Sequence, residues 1–474
     1  MGYNFRPVER DQQFLLAPSL RDWLPEDELA WVVLDAVEQL DLSRIRERYR
    51  PDGWGAAAYD PAMMVGLLLY AYAQGERSSR RIEARCRHDI AYRVITANQL
   101  PDHATIARFR VDHETALGEL FGQVLLLCAE AGLGKLGLVA LDGTKLAAAT
   151  SLRANRDADG LDAAIARMLA EAAEIDAAED VAHGPEQHAD ELPPGLARRE
   201  DRLARFREAR RQLAEAEAET EAAARSVTPP APVLEPTEPA PDRVARRGRP
   251  TTTAGRRQGW TERNPTDPDS RKMRASDGWI QGYNGQIVVA EDGLILAAEL
   301  TQDANDVRQL GPLVEAMHAN LAAAGVRRRV GTVLADAGYW SEAGVTAAER
   351  SGGPRLLIAP HRPTTASTRA AYPVRARMHR RLAGPSGRAR YRRRGAIVEP
   401  VFGQIKEVRR ARRFQRRGLV ACQSEWRLLC ATHNLLKLWR RRRPNPPHRP
   451  TTDRRPKRSA ALGRTRRSLR RRFG

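Results

Sequence analysis

Apolar positions keep a helical spacing through residues 59 to 131 and a mixed, strand-rich spacing from Leu133 onward. In the first block Asp60 and Pro61 open a helix through MMVGLLLYAYAQ that Gly75 stops, Ser78 or Ser79 caps RRIEARC, and Asp102 precedes ATIARFRVDH. Short helices separated by Gly, Asn and Pro turns are the makings of a helix-turn-helix-like all-α domain. The helix carrying Thr105, Arg108 and Arg110 is expected to meet DNA, its arginines reaching phosphates or guanine edges while Ile106 and Phe109 face inward. The competing reading is a plain helical bundle with a charged outer face.

From Leu133 the run LGKLGLVALDGTKLAA reads as strands broken by Gly turns, and is then interrupted. Leu161, Ile165, Met168, Ala172 and Ile175 recur at four and three, and Leu203, Phe206 and Leu213 at three and seven. Residues 161 to 181 and 196 to 225 therefore predict two helices, paired as an antiparallel hairpin through AHGPEQHADELPPG. Residues 226 to 275 hold a Pro-rich stretch and a basic run, a spacer or dimerising arm. Within it, Arg247-Gly248-Arg249-Pro250 resembles an AT-hook core, although so Arg-rich a chain favours a chance match.

Strands resume in YNGQIVVAEDGLILAAEL, turning at Glu291-Asp292-Gly293. A helix follows, capped by Asp303 or Asp306, with Val307, Leu310, Leu313, Val314, Met317 and Leu321 on its apolar face. A strand through GTVLAD, a helix in SEAGVTAAERS, a strand in RLLIAP and a last helix complete the order. The class is α/β, a mixed sheet flanked by helices.

Length allows about three domains, and 42% hydrophobic residues supply a sizeable core. Formal charge is +20. Residues 440 to 474 contribute fifteen Lys or Arg against the single Asp453, so a net +14 sits in the tail. Such a segment, broken by five prolines, is expected to stay disordered until it meets a polyanion, and nucleic acid is the obvious one. The alternative is a tail kept for solubility. Cys86, Cys128, Cys422 and Cys430 form no CxxC pair, which argues against a disulfide framework and a zinc site. No run approaches the ~18 apolar residues of a membrane span, and the N-terminus lacks a signal peptide's apolar core, so a cytoplasmic location is expected.

Asp142 stands at the end of one apolar run and Asp336 at the end of another, while Glu399 opens a helical stretch beside basic residues. A carboxylate at the end of a buried strand costs several kcal/mol to keep ionised unless something cationic neutralises it. A divalent metal would do so. Each acid taken singly also reads as a turn residue, since Asp-Gly favours turns.

The segments DPAMMVGLLLYAYAQGERSSRRIE, NQLPDHATIARFR, VALDGTK, NPTDPDSRKM, DGWIQGYNGQ, ADAGYWSE and IVEPVFGQIKEVR, in this order, resemble the DDE transposases of bacterial insertion sequences. The likeness is to the eleven-eighty-two group, related to the insertion-sequence-four and -five transposases, and spans nearly everything but the tail. It implies a ribonuclease-H-like catalytic domain over residues 132–154 and 276–440, interrupted by the helical-hairpin insertion (155–225) and linker (226–275). Ahead of it lie an N-terminal segment (1–58) and the helical DNA-binding domain (59–131), with the Arg-rich tail (441–474) behind. Asp142, Asp336 and Glu399 correspond to the family's metal ligands for two Mg2+ ions, with Mn2+ as a substitute. Separations of 194 and 63 residues accommodate the insertion.

The related insertion-sequence-four group carries Tyr-(2)-Arg-(3)-Glu-(6)-Lys. Tyr391, Glu399 and Lys406 are present, but four residues separate Arg394 from Glu399. Lys406, two turns past Glu399, is expected to bind a phosphate, with a surface lysine as the alternative. Trp340 is expected to stack on an unpaired base, with a core aromatic as the alternative. The resemblance implies binding of terminal inverted repeats and target DNA, metal-dependent cleavage and strand transfer, by a homodimer in the DNA complex. A ribonuclease-H-like nuclease without strand transfer, and a catalytically inactive DNA-binding derivative, are the alternatives.

Overall fold

The computed structural model describes residues 19–50, 57–183, 194–226, 262–276, 278–349, 353–360 and 372–442. The AT-hook-like motif, most of the Pro-rich linker, the loop between the two inserted helices and the tail from 443 lie outside the described residues.

Seven helices come first: α1 (Leu29–Gln39), α2 (Ser43–Arg46), α3 (Pro61–Ala73), α4 (Ser79–His88), α5 (Ile90–Ile95), α6 (His103–Asp112) and α7 (Glu114–Glu130). The Asp60 side chain accepts the N–H groups of Ala62 and Met63, and Pro61 occupies the first turn, where its missing N–H costs nothing. Every residue of α3 from Met64 to Ala73 is buried, so this helix is apolar all round and runs through the interior. Asp102 caps α6 by accepting from Thr105 N at 2.8 Å, and Ile106 and Phe109 face inward.

The sheet has six strands: β1 (Leu138–Ala147), β2 (Arg271–Ala275), β3 (Gly278–Ala290), β4 (Ile295–Thr301), β5 (Thr332–Ala335) and β6 (Arg355–Ile358). Its order is β2-β3-β1-β5-β6, with β4 also on β3. β3 is antiparallel to β1, β2 and β4, whereas β5 is parallel to β1 and β6, so the sheet is mixed. Two strands depart from the sequence reading. β1 does not end at Asp142 but runs on to Ala147, because Gly143, Thr144 and Lys145 pair with Gln286, Gly285 and Asn284 instead of turning. β2 lies inside the supposed linker, where the polar sequence RKMRA hides its one inward side chain, Met273.

Between β1 and β2 stand α8 (Ala158–His183) and α9 (Pro194–Ser226), packed through Leu161, Ala209 and Leu213. The remaining helices are α10 (Leu310–Ala323), α11 (Glu342–Ala348), α12 (Pro373–Ala383), α13 (Pro385–Gly403) and α14 (Leu419–Arg442). A π-helical segment, Gln404–Val408, follows α13. Neither Asp303 nor Asp306 caps α10: its N-cap is Gln309, which makes no side-chain cap bond, and Val307 is exposed.

α14 packs on α1, α3, α7 and β4, joining the helical block to the sheet. Apart from the small cluster between α8 and α9, most buried apolar side chains of the described residues form one cluster from Leu29 to Leu438. Two buried polar links reinforce it: Arg77 pairs with Glu425 at 2.8 Å, and Asn434 bonds both the N–H and the carbonyl of Ile295. All four cysteines are buried and unpaired. No described helix is long and apolar enough to cross a membrane.

Candidate active site

β1 and β5 run side by side, with Val139 opposite Val333 and Ala140 opposite Leu334. Two residues further along each chain stand Asp142 and Asp336, the second just past the end of β5. Asp336 Oδ1 accepts the Gly338 N–H at 2.9 Å and caps the short turn Ala337–Tyr339. Asp142 Oδ1 accepts from Gly143 N at 2.9 Å, while Oδ2 accepts from Arg394 Nη1 at 3.0 Å. Burial pushes the Asp142 carboxyl up to about 6. Arg394 and the Gly143 N–H oppose the rise, and the like charges of Asp336 and Asp306 add to it.

Around this pair the strands supply further polar groups. Lys145 lies 3.6 Å from Asp306 Oδ1, and burial lowers its ammonium against the pull of Asp306, Asp336 and Asp142. Asn284 and Gln286 on β3 are fully buried, and each donates to Asp306 Oδ1 at 2.7 Å. The Tyr339 hydroxyl donates to Gln286. Lys406 Nζ donates to Thr144 Oγ1 at 3.0 Å, so it reaches β1 two residues past Asp142. It does so from the π-helical segment rather than from a continued α-helix. Tyr391 is half-buried, its phenol raised by burial and lowered by Arg394.

Glu399 is placed differently. Its side chain is exposed and lies over Gly395, where a Cβ would stand 2.7 Å from Oε1. Five residues separate it in number from Arg394, which turns it about 140° round the helix, whereas a four-residue step would turn it only about 40°. The residue at the four-residue step is Val398, which is buried. The extra residue in the signature thus sets Glu399 at a different azimuth from Arg394 on α13. Among the described residues no three His, Cys, Asp or Glu side chains stand close enough to hold a metal ion. Asp142 and Asp336 nonetheless carry the donors a hard divalent ion takes, carboxylate oxygens, and Gly338 has no side chain to crowd Asp336, whereas beside Gly143 the Gln286 amide stands 2.5 Å from where a Cβ would be.

The remaining expectations divide. Trp340 is only 7% exposed and belongs to the core, so it offers no face to a base. Arg110 turns inward and donates to the Tyr72 hydroxyl, the Arg77 carbonyl and Ser79 Oγ. Its guanidinium is therefore committed within the helical block. Arg108 is exposed on α6, and the Thr105 hydroxyl donates to Asp102 Oδ2 at 3.0 Å. The sequence reading missed Lys145, Asn284 and Gln286, and took Asp306 for a cap. A signal for two of them existed: Asn284 and Gln286 alternate just before the apolar run IVVA, which puts two polar side chains on one face.

Comparison with known families finds a Transposase domain (DUF772) over residues 18–112 and a Transposase DDE domain over residues 249–435. The second match contains Asp306, Asp336, Arg394, Glu399 and Lys406 but begins after β1, leaving Asp142 outside it. No curated protein and no solved structure matches the chain. With one transposase domain over the helical block, another over most of the sheet, and more than half of the chain covered, the protein belongs with the DDE transposases of insertion sequences.

Proposed function

We propose that this transposase binds the terminal inverted repeats of its element, cuts DNA there by metal-dependent phosphodiester hydrolysis, and joins the freed 3′ ends to target DNA, as a dimer on the DNA. The observation that carries this reading is the side-by-side placement of Asp142 and Asp336 on parallel strands, with Arg394 and Lys406 reaching β1 beside them. Asp142 and Asp336 would hold the divalent ions, Mg2+ or Mn2+, with Glu399 brought to them as the third acid when DNA is bound. Bound there, such ions would supply activation of the attacking oxygen and stabilisation of the leaving one in an in-line displacement. Arg394 balances the Asp142 charge, and Lys406 meets a DNA phosphate near Thr144. Arg108 and Thr105 present α6 to the repeats, and the basic tail adds attraction for any duplex.

The test is an assay of the purified protein on duplex carrying the element's own ends, with Mg2+. Asp142→Asn and Asp336→Asn should each abolish cutting and joining while end binding persists. Undiminished cutting by Asp142→Asn would remove it from the reaction, and cutting without joining by the wild type would favour a plain nuclease.

A further inference from the structure

The loop between the π-helical segment and α14 reads RRARRFQRRG, with arginines at 409, 410, 412, 413, 416 and 417. Four of these side chains are used within the protein. Arg409 is buried and donates to the Leu429 carbonyl at 2.9 Å and to Thr432 Oγ1 at 2.7 Å. Arg412 pairs with Glu407, Arg416 with Glu114, and Arg417 donates to the Ala149 carbonyl at 3.1 Å. Arg410 and Arg413 are exposed, and among the described residues neither guanidinium meets a hydrogen-bond or ion-pair partner. Their backbone is nonetheless firmly held. Arg77 donates to the Arg413 carbonyl at 2.7 Å and to the Arg410 carbonyl at 3.2 Å, while Glu425 accepts the N–H groups of Gln415 and Arg416. The Phe414 N–H donates to the Ala147 carbonyl at 2.8 Å, which ties the loop to β1 as well. Arg410 also has a φ of 54°, a left-handed backbone that glycine would adopt without strain.

Arg410 lines a cleft of about 550 Å3 between this loop and the end of the helical block formed by α3, α4 and α5. Five arginines and two acids, Glu76 and Asp89, line it. Both acids are already engaged: Glu76 accepts the N–H groups of Arg77 and Ser78 and pairs with Arg81 at 3.1 Å, and Asp89 caps α5 and pairs with Arg85 at 3.4 Å. Arg413 marks the other flank of the loop, bridged to Ala147, which lies five residues beyond Asp142 on β1, about 17 Å along the strand. Lys406 meets Thr144 between those two positions. We infer that Arg410 and Arg413 clamp the sugar-phosphate backbone of duplex DNA where it passes from the helical block to Asp142. The inference rests on the DNA-binding reading given above and adds a surface to it. Guanidinium groups take phosphate oxygens, and a loop fixed to both halves before DNA arrives loses little freedom on binding. Such contacts set position rather than sequence.

The experiment titrates the full-length protein with a duplex carrying the element's end and with a scrambled duplex of the same length, each over a range of salt concentrations. Arg410→Gly suits the left-handed backbone, so it should fold and melt within about 3 °C of the wild type while the salt slope falls by about one. Arg413→Gln should lower the slope by a similar amount, and the double variant by about two, equally on both duplexes. Arg410→Lys keeps the charge and should keep the slope. Hydroxyl-radical footprints of the end should lose protection in the double variant within about ten base pairs of the cut. Wild-type slopes and footprints in Arg410→Gly, Arg413→Gln and the double variant, with DNA still bound, overturn the clamp alone. Failure of the wild-type protein to bind either duplex overturns the DNA-binding reading itself.

Discussion

Arg394 on α13 and Asp142 on β1 form a charge pair at 3.0 Å, with side chains only 25% and 22% exposed. The helix that carries Glu399 is therefore tethered to the strand that carries the first acid. Arg394→Ala removes the nearest counter-charge from a carboxylate that burial already disfavours. Strand cutting should fall roughly a hundred-fold, as for loss of one preorganised donor at an active site. Single-turnover cleavage at saturating Mg2+ measures it. Rates within a factor of two of the wild type would reduce the pair to packing.

Two arginines on α6 should behave oppositely. Arg108 is exposed, so Arg108→Ala should leave stability within about 0.5 kcal/mol and weaken binding to terminal repeats more than to scrambled duplex. Arg110 is hydrogen-bonded to three groups of the helical block, so Arg110→Ala should cost about 1–3 kcal/mol of stability. Paired titrations at fixed salt and urea unfolding curves check both. Equal loss on repeat and scrambled DNA in Arg108→Ala would limit that residue to phosphate contact.

Glycines in the fold are not equivalent. A Cβ on Gly282 would stand 2.1 Å from the Leu146 carbonyl oxygen, inside the β1–β3 pairing, so Gly282→Ala should prevent stable folding or cost more than about 4 kcal/mol. Gly122 lies inside α7 with nothing within 4 Å of the added methyl, so Gly122→Ala should stabilise by about 0.5–1 kcal/mol. Soluble yield and thermal melting compare the two. A well-folded Gly282→Ala protein would mean that the two strands separate easily.

Stability should fall in acid through His433. Burial, reinforced by the charge of Arg409, lowers its imidazole to about 3, and Nε2 donates to the Gly293 carbonyl at 2.9 Å. The unfolded chain takes up a proton near pH 6.5 that the folded chain refuses until near 3. The neutral histidine's contribution is thus fully present above pH 6.5 and is lost as pH falls from there toward 3, a change on the order of 5 kcal/mol over the whole window. Melting temperatures of wild type and His433→Gln between pH 7 and 4 test this. The variant's curve should be flatter, and parallel curves would assign the acid sensitivity elsewhere.

Much of the architecture could be read from local signals. Asp60-Pro61 and Asp102 marked two helix starts, and Glu291-Asp292-Gly293 marked the turn between β3 and β4. The apolar runs before Asp142 and Asp336 gave the two strands, which the register then set side by side. What escaped depends on partners far along the chain. Asp142-Gly143 has the composition of a turn, and only pairing with Gln286, more than a hundred residues later, keeps it extended. Asp306 has the composition of a cap, and only the neighbouring strands turn it toward Asp336. Burial of Trp340 and the inward turn of Arg110 likewise follow from packing that spacing does not encode. The different azimuths of Glu399 and Arg394 were visible as one extra residue between them, and helix geometry gives that residue its meaning.

The union of both halves through α14 bears on how the chain is made. Helices α1, α3 and α7 leave the ribosome well before the helix that covers them, which ends at Arg442. Their apolar faces must wait until the whole sheet and then α14 have been translated, and β1 must wait for β3 across the inserted helices. Contacts so distant in sequence form slowly and leave sticky intermediates. A nascent chain halted before residue 419 therefore carries its helices and the strand of Asp142 uncovered, a substrate for chaperones and proteases rather than a partly folded domain.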